Sequence, residues 1–205
     1  LRSPRKEQLT GLIDPDHPGT QWVIEHIRTG HGPLGELYPE TKYAMEGDTP
    51  SYLGLLRNGL NFFEDPKYGG WGGRYELYQP ENLNQKFYDR RYPDFGYKGE
   101  TRPIWTDVDD TYVGADGKIY TDNRGSVARW RDAFQDDFAA RMDWGITERF
   151  ADVNHNPVAA FRGQVGRETI HLDAAPGDVV ELSADGSTDP DGDALSFKWF
   201  QYREA

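Results

Sequence analysis

The sequence predicts a mixed helical and strand-forming part up to about residue 150, followed by an all-β segment of sandwich type over residues 151–205. Two observations carry this. Residues 126–142 hold an apolar stripe at helical spacing, and everything after about residue 155 breaks into short alternating runs separated by turn dipeptides.

The elements follow in order. Thr20 is placed to cap "QWVIEHIRTG", with Gly30 ending the helix and Trp22, Val23 and Ile27 on one face. "YVGADGKIYTDN" reads as a β-hairpin with Asp116-Gly117 at its turn. A second helix is expected from about Ser126 to Met142. Val127, Trp130, Phe134, Phe138 and Met142 recur at spacings of 3, 4, 4 and 4. Arg129, Arg131, Asp132, Asp136 and Asp137 would form its solvated back.

In the last segment strands are expected at Thr169–Leu172, Val179–Ser183 and Leu195–Tyr202. Between them stand the turn dipeptides Pro176-Gly177, Asp185-Gly186 and Asp191-Gly192. Alternation puts Trp199 on one face and Phe200 and Tyr202 on the other, with Trp199 expected in the core. A sandwich of this kind takes about 100 residues, and 51 follow residue 154, so a truncated all-β sandwich with an open edge is expected.

Hydrophobic residues make up 36% of the 205, but aromatics reach 14%, and each aromatic buries a large area, so the chain folds. A net charge of −12 disfavours nucleic acid or an anionic membrane surface as partner and suits a neutral sugar or a cation. With no cysteine, disulfides and thiolate metal sites are excluded. The opening "LRSPRKEQL", with no Met before it, reads as the interior of a longer chain.

Two stretches carry candidate chemistry. "MEGDTPSYL" (45–53) sets Glu46 and Asp48 about a glycine, ahead of Thr49 and Pro50. Asp48 fits two roles, a cap for the following helical turn or an oxygen ligand for a hard cation. "GGWGGRYE" (69–76) combines glycines with Trp71, an apolar face for a sugar ring, and Arg74, a fixed set of donors. The alternative for this pair is a packed loop with the arginine stacked on the tryptophan. "DVDD" (107–110) and "DPDGD" (189–193) both lack the glycine and glutamate spacing of a calcium loop. The first reads as solvated turn carboxylates and the second as a turn between strands, with weak calcium binding as its alternative.

"HGPLGELYP" (31–39), "MEGDTPSYL", "GGWGGRYE", "ARWRDAFQDDFAARMDW" (128–144) and "NHNPVA…GSTDPDGDALSFKWF" occur in that order. Together they resemble a bacterial family of cellulose-binding proteins with a nucleoside-hydrolase-like domain followed by an immunoglobulin-like C-terminal domain. The resemblance implies an α/β fold with a mostly parallel sheet, of which residues 1–150 would be the C-terminal part. Residues 151–205 would begin the immunoglobulin-like sandwich. It also implies a calcium ion held by aspartates that activates a water for N-glycosidic cleavage. Asp48 is the position here that matches the aspartate contributed by that half, with Gly47 where nucleoside hydrolases tend to have histidine. The upstream D-x-D-x-x-x-D-D cluster is not in this sequence, so the 205 residues alone are expected to be inactive. Glu46, Thr49 and Tyr43 would accompany Asp48 toward a sugar, with Trp71 and Arg74 on a covering loop. Two function classes stand: a glycosidic hydrolase with carbohydrate (cellulose) association, or a non-catalytic carbohydrate-binding protein. The partner is a carbohydrate or ribosyl group in either case. A sugar-polymer partner implies export, so a secreted or periplasmic location is expected.

Overall fold

The structure is a computed structural model and describes residues 18–40, 52–79, 102–114, 116–123 and 125–202. Helix α1, Pro18–Val23, runs directly into a π-helical turn, Ile24–Arg28. Thr20 therefore lies inside the helix instead of capping it. Gly30, at φ 81°, follows the helix end in the left-handed conformation expected of it. Helix α2, Gly32–Leu37, lies back against the π turn. Gly35 makes that approach possible, since a Cβ there would stand 2.5 Å from the Ile27 carbonyl oxygen.

The second expected helix is broken. Helix α3 is Gly125–Ala128 and helix α4 is Arg131–Trp144, with a turn at Arg129–Trp130. The Trp130 amide bonds three residues back, to Val127, and its backbone leaves the helical region at φ −104°, ψ 6°. The break has a packing cause. Gly125 is pressed onto the strand Asp110–Val113, where a Cβ would stand 2.1 Å from the Asp110 carbonyl oxygen. Meanwhile α4 must turn toward the π turn. There Met142 joins Val23 and Ile27 in the core, with Trp22, Tyr38 and Phe138 packed around them. Complete burial of a side chain such as Ile27 contributes about 1.5–3 kcal/mol.

Three two-stranded antiparallel sheets complete the described elements. Strands β1 (Tyr75–Tyr78) and β2 (Ile104–Asp107) pair, as do β3 (Asp110–Val113) and β4 (Ile119–Asp122). The β3–β4 hairpin turns at Asp116-Gly117 as the sequence predicts, with Gly117 at φ 74°. Strands β5 (Ala160–Phe161) and β6 (Gln164–Val165) form a hairpin that the sequence reading lacked. The mostly parallel sheet is not found among the described residues. Parallel pairing needs a crossover of about a dozen residues or more, and two of these pairs close through tight turns.

The three predicted C-terminal strands form no ladder among the described residues. Besides the β5–β6 hairpin, a Val158–Thr188 bridge and the backbone hydrogen bonds from Arg162 to Ser183 and from Gly163 to Asp185 join that segment to itself. Alternation fixes which way side chains point, but a ladder also needs an adjacent strand, and Val179 is left 96% exposed. The side-chain alternation does hold. Phe200 and Tyr202 reach Trp130, at 6.1 and 6.0 Å between ring centres, while Trp199 reaches Phe161 at 6.3 Å.

Candidate functional site

Gly70 and Gly73 exchange backbone hydrogen bonds of 3.0 and 3.1 Å, which leaves Trp71-Gly72 as the tip of a tight turn. The glycines serve close protein packing. At Gly73 (φ 114°) a Cβ would touch Ser126 and Val127 at 3.4 Å, and at Gly69 (φ 74°) it would stand 3.0 Å from the Tyr202 hydroxyl.

Arg74, at the end of this turn, is 6% exposed. Its Nε and Nη2 donate to Asp110 Oδ1 at 3.0 and 2.7 Å, and its Nη1 lies 3.5 Å from Glu76. The donors expected to face a ligand thus face Asp110, and the arginine's partner is a carboxylate and not the Trp71 ring. Burial draws the guanidinium pKa down, but the hydrogen bonds and charge of Asp110 outweigh it and the net shift is upward. Asp110, read from sequence as a solvated turn carboxylate, is 1% exposed. Arg129 adds a second cation 3.7 Å away and lies 4.7 Å above the Tyr202 ring. Asp107, from the same "DVDD", takes a hydrogen bond from Asn123. Asp107 and Asp110 therefore belong to separate pairings and do not gather round one ion.

Trp71 keeps part of its ring exposed and lines an open groove of about 700 Å³. One face of α4 makes the floor through Ala133, Asp136, Asp137 and Ala140. Phe161 and Trp199 stand on the C-terminal side, and Arg57, Arg167 and Glu168 close another. Trp199, expected in a core, is 51% exposed here, because no opposing sheet covers its face among the described residues.

The groove lies along a seam that is fastened on both rims. On one, Trp144 Nε1 donates to the Asn154 carbonyl at 2.8 Å and Asn156 donates to Asp137 at 3.1 Å. His155 stacks on Phe150 and Trp144 and meets Asp191 twice, through its ring at 3.0 Å and its amide at 2.6 Å. The His155 contact holds the Asp191 carboxyl below the usual carboxylate range. On the other rim Asn61 donates to Thr169 and Arg167 to the Arg57 carbonyl, both at 2.8 Å. "DPDGD" is a turn, as expected, with Asp189 accepting from the Asp191 and Asp193 amides.

Sequence reasoning missed Asp137, which is 7% exposed and bound to Arg141 and Asn156 instead of solvated. It also missed His155. The one signal for it was its place in "NHN", between helix and strands. Asp48, Glu46, Thr49 and Tyr43 lie outside the described residues. Among the described residues no three His, Cys, Asp or Glu gather as a metal site requires.

Residues 5–75 match the model of the nucleoside-hydrolase-like domain of cellulose-binding Sde182, and residues 179–205 match that of the C-terminal domain of cellulose-binding protein Sde0182. Curated proteins give no match. A solved structure is similar, a nucleoside hydrolase-related hypothetical protein from Saccharophagus degradans described as associated with carbohydrate metabolism. It is 33% identical with a TM-score of 0.70 over 95% of this chain, and this chain spans 42% of its length. Trp71, Arg74 and the Asp48 stretch fall in the first matched segment, and Trp199 falls in the second. These two segments, in this order, make the chain similar to the family of cellulose-binding proteins with a nucleoside-hydrolase-like domain.

Proposed function

We propose that this protein associates with carbohydrate through the groove that Trp71 lines, on a nucleoside-hydrolase-like scaffold. One observation carries the reading. Trp71, from one matched segment, and Trp199, from the other, line the same groove and both keep ring surface exposed. An indole face is flat and apolar and stacks on the C–H face of a sugar ring, while the polar groups around it take hydroxyls. The test is depletion of the full-length protein by insoluble cellulose. Trp71→Ala should weaken retention about tenfold. Equal retention of the variant would sink the role of Trp71.

A second reading rests on Asp48, which lies inside the match to the nucleoside-hydrolase-like domain. Asp48 would hold a calcium ion together with residues beyond this sequence. The bound ion would supply a more acidic water for cleavage of an N-glycosyl bond. Glu46, Thr49 and Tyr43 would orient the hydroxyls of the sugar. Calorimetry on the full-length protein decides it. Calcium binding that collapses in Asp48→Ala supports a ligand, and equal binding makes Asp48 a helix cap. The same proposal puts the protein outside the cytoplasm, secreted or periplasmic, where an insoluble polymer is met. It also takes residues 151–205 as part of an immunoglobulin-like sandwich.

A further inference from the structure

The turn that presents Trp71 is closed in by other parts of the chain. A Cβ on Gly70 would stand 3.3 Å from Phe62, and one on Gly73 would stand 3.4 Å from Ser126. At the first stem of the turn, Gly69 is buried and left-handed at φ 74°. The Tyr202 hydroxyl lies 3.0 Å from the place where a Cβ on Gly69 would stand. In so close a packing, a stem that shifts carries the tip with it.

Tyr202 is itself placed by the residues that hold the other stem. Its ring lies 4.7 Å from the Arg129 guanidinium and meets the Trp130 ring edge-on at 6.0 Å. Arg129 Nη1 lies 3.7 Å from Asp110 Oδ2, and Asp110 Oδ1 takes both hydrogen bonds of Arg74, where the turn ends. The phenol senses the same neighbours. Burial first, and then the Asp110 charge, hold its pKa above the usual tyrosine value against the pull of Arg129. Both stems therefore rest on one buried cluster, Gly69 on Tyr202 and Arg74 on Asp110, with Arg129 between the two. Tyr202 is not among the residues that line the groove. Any effect it has there passes through the turn.

We infer that Tyr202 is a positioning residue for Trp71: the C-terminal segment braces the turn at Gly69 and so fixes where the Trp71 ring stands. The importance of this for binding rests on the reading of Trp71 given above; the positioning itself does not. The test is fluorine NMR on the full-length protein labelled with fluorotryptophan, with the Trp71 resonance assigned from Trp71→Phe. In Tyr202→Ala that resonance should shift and broaden, while the resonance of Trp22, packed against the core, should stay in place. Tyr202→Phe keeps the ring beside Arg129 and removes only the hydroxyl at Gly69, so it should move the Trp71 resonance by less. Retention on insoluble cellulose should fall about fivefold in Tyr202→Ala, with no further loss when that change is added to Trp71→Ala. A Trp71 resonance unmoved in both Tyr202 variants would overturn the positioning role, whatever happens to retention. So would Trp22 and Trp71 moving together in both, since the effect would then be on the whole fold. Losses that simply add in the double variant would show that Tyr202 acts on binding by another route, and would overturn it too. Wild-type retention of Trp71→Ala would bring down the role of Trp71 in binding, and the Trp71 resonance would still decide whether Tyr202 sets the turn.

Discussion

Arg74 and Asp110, 36 positions apart, meet as a buried pair in which two guanidinium nitrogens donate to one carboxylate oxygen. The pair ties the turn carrying Trp71 to the β3–β4 hairpin. Replacing such a pair with apolar residues can be neutral, but removing one partner strands a buried charge.

Asp110→Ala should therefore destabilise the protein by about 3–5 kcal/mol, measured by urea unfolding. Arg74→Lys should not restore the loss seen in Arg74→Ala, because an ammonium lacks the guanidinium fork. A double variant, Arg74→Met with Asp110→Leu, should cost less than the two single changes together. Strict additivity would show that the pair is not coupled.

Gly125→Ala should be severe for a different reason. The new Cβ would meet the Asp110 carbonyl carbon at 2.7 Å and its oxygen at 2.1 Å, both backbone atoms with little freedom to move. We expect a loss of ~3 kcal/mol or more, read from thermal unfolding. Gly117→Ala, with nothing within 4 Å of the new atom, should show only the milder strain of a left-handed position.

At the β3–β4 turn, Asp116 accepts from the Tyr120 hydroxyl, from the Lys118 amide and from the Lys118 ammonium. These contacts, the tyrosine's first, lower its pKa to about 2 from 3.8. A depressed carboxylate stabilises the fold above its unfolded pKa and loses that effect as pH falls through the folded value. Its contribution should be complete above about pH 4 and fade toward pH 2. Titration of the Asp116 carboxyl by NMR checks the midpoint, and Tyr120→Phe should raise it. A midpoint near 4 in the wild type would contradict the hydrogen bonds described.

The His155–Asp191 contact has the same sign. Because Asp191 is held below the usual carboxylate range, its hold on the linker should persist at neutral pH and release only in acid. Limited proteolysis between residues 154 and 160 should be faster in Asp191→Ala than in wild type at pH 7. The two should converge as the wild-type carboxyl protonates. Equal rates at pH 7 would mean that the contact does not fasten the linker.

Some of this was legible in the sequence, and the division has a physical basis. The apolar stripe of α4, the Asp116-Gly117 turn and the aromatic alternation at 199–202 are local patterns, and the structure keeps them. The burial of Asp110 and Asp137 is not local. It depends on Arg74 and Asn156, which the fold brings in from other elements. The helix break at Arg129–Trp130 was hidden as well, because the stripe runs through it unchanged and the cause is the backbone of β3 against Gly125. At the candidate site, the sequence pointed to Trp71 and Arg74 together. The structure separates them, one lining a groove and the other buried in an ion pair.

The fastenings along the seam have a mechanical consequence. Trp144–Asn154 and Asn156–Asp137 hold one rim, while Asn61–Thr169 and Arg167–Arg57 hold the other. If the walls carrying Trp71 and Trp199 grip the same strand of polymer, a pull on that strand loads both rims at once. The force is shared among several hydrogen bonds and does not fall on the single covalent connection near residue 155. Such a molecule behaves under tension as a riveted plate, and it should part only when the rivets of both rims give way together.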